Sequence, residues 1–320
     1  MIKKIILILF LALIQKFAFA EIIYVSNEKD HNISVIDGNS LEVIKTVKVG
    51  HRPRGIILSK DKKKIIICTS DDNRIAVVDV ASLEVEYYLP SGPDPELIVM
   101  DAAGKLIYVA NEDDNMVTVV DYIGKKIVKE IPVGVEPEGM GLSPDGKTLV
   151  NTSETTNMAH FIDTSTLEIK ANVLVDARPR VAQYTSDGKF VWISSEIGGT
   201  ISIIDPVKFE IIKKIEFNIP GLSKETVQPV GVRLDEKRQL AYVALGPANR
   251  IAIVNMKTFE VEKYILTGQR VWNLMINTDG TKIYTTNGVS NDISVIDIDK
   301  RKVIKSIPVG RYPWGVAIKD

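Results

Sequence analysis

The amino-acid sequence predicts an all-β fold: a seven-bladed β-propeller of four-stranded antiparallel blades. Its ring is closed by pairing of the C-terminal strand with the N-terminal blade. Three observations carry this. A strand-like word ending in Asp or Asn recurs seven times, from Ile33-Ser-Val-Ile-Asp37 and Ile75-Ala-Val-Val-Asp79 to Ile293-Ser-Val-Ile-Asp297. Its closing positions, 37, 79, 121, 163, 205, 255 and 297, are spaced by 42 residues with one interval of 50. The chain opens partway through a unit, at Tyr24-Val-Ser-Asn27, and stops at Gly315-Val-Ala-Ile-Lys319, which matches an inner strand such as Gly55-Ile-Ile-Leu58.

At the N-terminus, Lys3 and Lys4 precede the apolar run Ile5–Ile14 and the small-x-small word Ala18-Phe19-Ala20. That is the pattern of a secretory signal peptide over residues 1–20. Ten apolar residues are too few to span a bilayer, which needs about 20. Cleavage after Ala20 leaves residues 21–320 as a single seven-bladed domain in the periplasm, with no membrane span. The formal charge of −1 gives no basic face for nucleic acid. Cys68 is the one cysteine, so an internal disulfide, a zinc ribbon and a covalently attached haem are excluded.

Each unit begins with an aromatic, β-branched strand such as Tyr108-Val-Ala-Asn111 or Tyr284-Thr-Thr-Asn287. The Asp-terminated strand follows, then a third run such as Glu42-Val-Ile-Lys-Thr-Val47, an x-Pro-x turn and one more short strand. Four strands in about 40–45 residues is the signature of a propeller blade. The repeated Asp ends a strand at a turn, where an Asx side chain bonds the backbone two residues on. Seven equivalent copies argue for structure rather than catalysis.

Function is expected where the copies diverge. The x-Pro-x turns read Arg52-Pro53-Arg54, Asp94-Pro95-Glu96, Glu136-Pro137-Glu138, Arg178-Pro179-Arg180, Gln228-Pro229-Val230, Arg270-Val271-Trp272 and Tyr312-Pro313-Trp314. They begin the inner strands and should rim the central channel on one face, here called the top. Arg52 and Arg54 can pair with the acids of the next copy, as can Arg178 and Arg180 with those of the one before. Arg270, Trp272, Tyr312 and Trp314 are left without acidic partners and suit an anionic or planar ligand, or a protein partner. The eight extra residues near Ile219–Val227 lie beside them and mark the same face. Carboxylates of the other top loops, Glu28 and Asp30, Asp71 and Asp72, Glu112 to Asp114, Glu154 and Glu196, fall on separate blades and read as a solvated acidic rim, with no metal site. His31 and His51 read as loop residues, and His160 as core or channel lining.

The words Tyr24-Val-Ser-Asn27 and Tyr108-Val-Ala-Asn111 resemble the YVTN family of β-propeller repeats. Ser91-Gly-Pro-Asp-Pro-Glu-Leu97, Asn151–Asp163, Ala244–Arg250, Thr285–Asp292 and Val309–Gly315 resemble the PQQ-dependent catabolism-associated β-propeller proteins. The resemblance implies a periplasmic protein associated with PQQ-dependent alcohol oxidation. It leads to the expectation of a non-catalytic accessory protein, without a resident cofactor. Such a protein would bind a periplasmic partner or a small anionic ligand through Arg52, Arg54, Arg178, Arg180, Arg270, Trp272, Tyr312 and Trp314. PQQ, a planar tricarboxylate, is one candidate, because Arg pairs with carboxylates and aromatics stack on planes. The alternatives are a lactonase-like hydrolase using Glu112, Glu136, Glu138, Glu154 and Glu196, and a surface or scaffold propeller with protein partners only.

Overall fold

The computed structural model describes residues 21–320; the predicted signal peptide lies outside the described residues. Seven four-stranded antiparallel sheets circle one axis. Blade one takes its inner strand from the far end of the chain, Pro313–Lys319, and its other strands from Ile22–Asn27, Asn32–Asp37 and Glu42–Lys48. Ile22 lies opposite Lys319, and Tyr24 opposite Ala317. This closure pairs strands that would otherwise be open edges able to template aggregation.

The inner strands of blades two to seven are Pro53–Leu58, Pro95–Met100, Pro137–Leu142, Pro179–Tyr184, Val232–Asp235 and Val271–Ile276. The second and third strands of every blade are buried almost throughout, as in Lys64–Thr69 and Arg74–Asp79. They pack on both neighbouring blades, so an unbroken Val/Ile run is stable there. Outer strands such as Glu42–Lys48 keep one buried residue, Val47, near their end and expose the rest. Among the described residues no helix is long and apolar enough to cross a membrane.

The repeated Asp does what its position predicts. Asp37 Oδ1 accepts the N–H groups of Asn39 and Ser40, and Asp79 Oδ1 those of Ala81 and Ser82. These bonds to the charged form hold both carboxyls below the usual carboxylate range, with Lys64 the largest influence on Asp79. Cys68 is a fully buried free thiol. His160 belongs to the core and not to the channel: it is 5% exposed, and its Nε2 accepts the Gly134 N–H at 2.9 Å.

Candidate functional site

The turn residues singled out in the sequence do meet on one face. Strand direction alternates, so the loops entering the inner strands and those following the second strands share that side. The loops also bond to each other: the N–H groups of Glu28, Glu112, Glu154 and Glu196 donate to the carbonyls of Tyr312, Asp94, Glu136 and Arg178. Arg52, Asp94, Glu136, Arg178, Arg270 and Tyr312 all have φ between 49° and 58°. A non-glycine residue costs on the order of 1 kcal/mol in that conformation. Side-chain acceptors hold the turns: Asn73, Asn115, Asn157, Asn249 and Asn291 each accept an N–H through Oδ1, and His31 Nδ1 takes that of Arg52. Gln228, in the sixth copy, departs from this geometry, and its N–H goes to Leu245 instead.

Two residues further along each inner strand, a buried belt closes the channel. Arg54 pairs with Glu96 and, at 2.8 Å, with Glu28. Arg180 pairs with Glu154, with Glu138 at 3.2 Å and with Glu196 at 3.7 Å. Arg54 lies over the Trp314 ring at 5.5 Å, and Arg180 over Trp272 at 5.8 Å. Neighbouring carboxylates hold both guanidiniums charged against the cost of burial.

The predicted pairing of Arg52 with Asp94 holds. Arg178 does not reach Glu136; it pairs with Glu154 at 2.8 Å and Glu196 at 3.1 Å. The expectation that Arg270 lacks an acidic partner fails as well. Its Nη2 is 3.4 Å from Glu196 and its guanidinium lies over Trp272 at 4.3 Å. The sixth blade carries no acid at the rim, so Glu196 can reach across to it. Trp314 is 2% exposed and plugs the channel, whereas Tyr312 is 41% exposed on the rim. The insertion is anchored in the core through Ile219 and Val227.

Only part of the expected acidic rim is solvated: Asp71 and Asp113 are exposed, whereas Glu28, Glu154 and Glu196 are buried. Glu96, Glu138, Glu154 and Glu196 are buried, and two groups converge: Asp94, Glu96 and Glu112, and then Glu112, Glu136 and Glu154, each with oxygens within 4.8 Å of one another. Assigning them to separate blades overlooked that each turn into an inner strand meets the loops of two blades. Burial pushes the Glu96 and Glu112 carboxyls up, and raises Glu154 to about 7 even though Arg180 lies against it. Glu96 Oε1 lies 3.5 Å from Arg52 Nη2, and Glu154 Oε2 lies 2.8 Å from Arg178 Nη2. This donor set could hold a hard cation.

His31 and His51 both lie in loops, as expected, and their rings meet edge-on with centroids 4.8 Å apart. His51 Nδ1 is 2.7 Å from Asp72 Oδ1, and Asp72 Oδ2 also takes the His51 N–H. That pair sets the tautomer in which Nδ1 carries the proton and Nε2 keeps its lone pair, as behind many metal-bound histidines. The side chain is 64% exposed, and Nε2 has no hydrogen-bond partner among the described residues. A signal was present in the sequence: His31 stands where the other copies have Asn73, Asn115, Asn157, Asn249 and Asn291.

Part of the chain is similar to a known family. Residues 65–180, from the second strand of blade two into the inner strand of blade five, match the family described as the cytochrome D1 heme domain. The segment carries Asp72, Glu96, Glu112, Glu136, Glu138, Glu154 and Arg178. No curated protein matches the sequence. Among solved structures, hydrazine synthase of Kuenenia stuttgartiensis is 21% identical, with a TM-score of 0.79 over 86% of this chain and 91% of that one. A functionally unknown protein from Desulfotomaculum acetoxidans DSM 771 is 14% identical, with a TM-score of 0.79 over 93% and 98%. Dihydro-heme d1 dehydrogenase NirN in complex with DHE is 15% identical, with a TM-score of 0.70 over 92% and 74%. At these identities the likeness is one of fold.

These findings correct three expectations. A non-catalytic, PQQ-associated accessory role, the absence of enzymatic activity and the absence of a cofactor are all overturned. The overturning finding is the match of residues 65–180 to a haem domain family. The misleading step was physical: arginines and tryptophans were read as a free anion site, but most of that charge is spent inside the protein on buried glutamates.

Proposed function

We propose that the top face binds a haem-type tetrapyrrole across the channel mouth and that the protein is an oxidoreductase. The observation that carries this is His51, held by Asp72 with a free, exposed Nε2 one residue from the rim. Histidine is a common axial ligand of haem iron. Arg52, Arg178 and Arg270 are part-exposed on the same rim and would meet peripheral carboxylates, and the exposed Tyr312 ring offers a flat surface. When bound, the group would supply redox chemistry at iron.

The chain's own part is to hold the ligand and handle protons. Asp72 fixes the His51 tautomer and orients the ring. Glu154, raised to about 7, can hold or release a proton near neutrality, the range in which a general acid or base works best. The belt of Arg54, Glu96, Glu138, Arg180, Trp272 and Trp314 closes the channel beneath the mouth. Export by the segment at 1–20, and kinship of the repeat with the YVTN type, belong to this reading. The former predicts recovery of the protein in the periplasmic fraction.

Titration of purified protein with haemin, followed by its absorption band, tests the proposal. Saturable binding that His51→Ala weakens at least tenfold is expected, with iron-free protoporphyrin unaffected by the substitution. Equal haemin binding by both proteins, or none by either, overturns it. A second reading, a hard cation at the two carboxylate groups sharing Glu112, is favoured by the convergence of their oxygens within 4.8 Å. Calcium or manganese binding lost in Glu112→Gln, without haemin binding, would select it.

A further inference from the structure

Three arginines of the inner strands lie deep in the ring, and two are neutralised. Arg54 and Arg180 each face two or more buried carboxylates. The third, Arg233, has no carboxylate within salt-bridge distance among the described residues. The one hydrogen bond seen from its guanidinium runs from Nη1 to the carbonyl of the adjacent Val232, at 2.7 Å. Burial pushes its pKa down, to about 10, and no neighbouring charge opposes that shift. The residue is only part-buried, so its charge keeps contact with water and is open to a ligand.

Strand register shows where this side chain sits. Arg233 lies opposite Tyr242 on the second strand of its blade. The same rung holds Ile57 opposite Ile66, Val99 opposite Tyr108, Gly141 opposite Val150 and Gln183 opposite Trp192. Those four residues line one cavity of about 390 Å³ that opens at the bottom of the channel, away from His51 and the ion-pair belt; Arg233 is not part of its wall but follows Gln183, which is, around the ring. Residues at this rung therefore face the lower channel. The rest of the rung, Met275 and Ala317, is apolar or small. Lys60 lines the cavity at its exposed rim, and no carboxylate pairs with it among the described residues.

We infer that the lower channel is a second binding site, for a small organic carboxylate that enters from the bottom face and pairs with Arg233. Gln183, the neighbour of Arg233 around the ring, offers a further polar contact. Ile57, Val99 and Met275 would receive the apolar part of the ligand. A guanidinium matches a carboxylate with two parallel N–H bonds, and its strength rises out of water. The size of the cavity agrees with a small ligand, since pockets for small molecules begin at about 300 Å³.

Benzoate is a suitable probe, with benzamide as its uncharged counterpart and inorganic phosphate as an anion without an apolar body. Isothermal titration should show benzoate binding to the wild type and not benzamide. Binding should be at least tenfold weaker in Arg233→Met and intermediate in Arg233→Lys. Phosphate binding as tight as benzoate would replace the organic acid by a simple oxyanion, overturning the ligand class. Benzoate binding unchanged in Arg233→Met, or absent from the wild type, overturns the site. Haemin titration of the same variant should be unaltered, so failure here is separable from failure of the top-face proposal.

Discussion

Arg180→Met is the most informative perturbation of the belt. The Arg180 side chain is 4% exposed and faces Glu138, Glu154 and Glu196, each about as buried. Methionine keeps much of the apolar stem but leaves three carboxylates around an uncharged side chain, and Arg178 reaches only Glu154 and Glu196. Breaking a buried ion pair from one side costs about 3–5 kcal/mol. A domain of this length has an unfolding entropy of about 0.6 kcal/mol/K, so its midpoint should fall by about 5–8 °C. The loss should be largest near pH 8, where the carboxylates must stay charged, and should shrink near pH 5, where they can take up protons. Thermal unfolding followed by tryptophan fluorescence at both values measures this. A midpoint unchanged at pH 8, or an equal drop at both pH values, would refute the picture of Arg180 as the counter-charge of that cluster.

The same carboxylates set a pH dependence for the wild type. Glu154 is raised from the ordinary glutamate value to about 7, so the folded state holds an extra proton between about pH 4.5 and 7. Its contribution is complete below that window and is lost as pH rises through it, about 3 kcal/mol in all. Glu96 and Glu112 shift the same way, whereas the turn carboxylates of Asp79 and Asp163 are lowered and lose their contribution in acid. Urea midpoints should therefore decline from pH 5 to pH 8 in the wild type, and less so in Glu154→Gln; a flat profile would count against the buried cluster. Gly139→Ala should be destabilising by about 1–3 kcal/mol in a urea titration, since its new Cβ would fall against the Arg180 carbonyl and the Thr152 hydroxyl. A stability equal to wild type would show that blades four and five are not held that close.

The architecture was legible in the chain because it is periodic. Seven copies of one strand-turn word, with Asp37 and its equivalents closing each, fix the blade count, the turns and the closure by Gly315–Lys319. Local physics repeated seven times leaves little room for another arrangement. The sequence also located the rim of the channel at residues 52, 94, 136, 178, 228, 270 and 312, since entry to the inner strand is a position in the repeat. What it could not supply was the matching of charges across the rim. Arg270 is neutralised by Glu196, 74 residues away, and Arg178 by Glu154 and not Glu136. His31 and His51 meet edge-on, and Arg233 stands alone. Those outcomes depend on which side chains are neighbours around the axis and how far they sit from water. Coulomb energy and desolvation follow distance and burial in space, and both are properties of the closed ring.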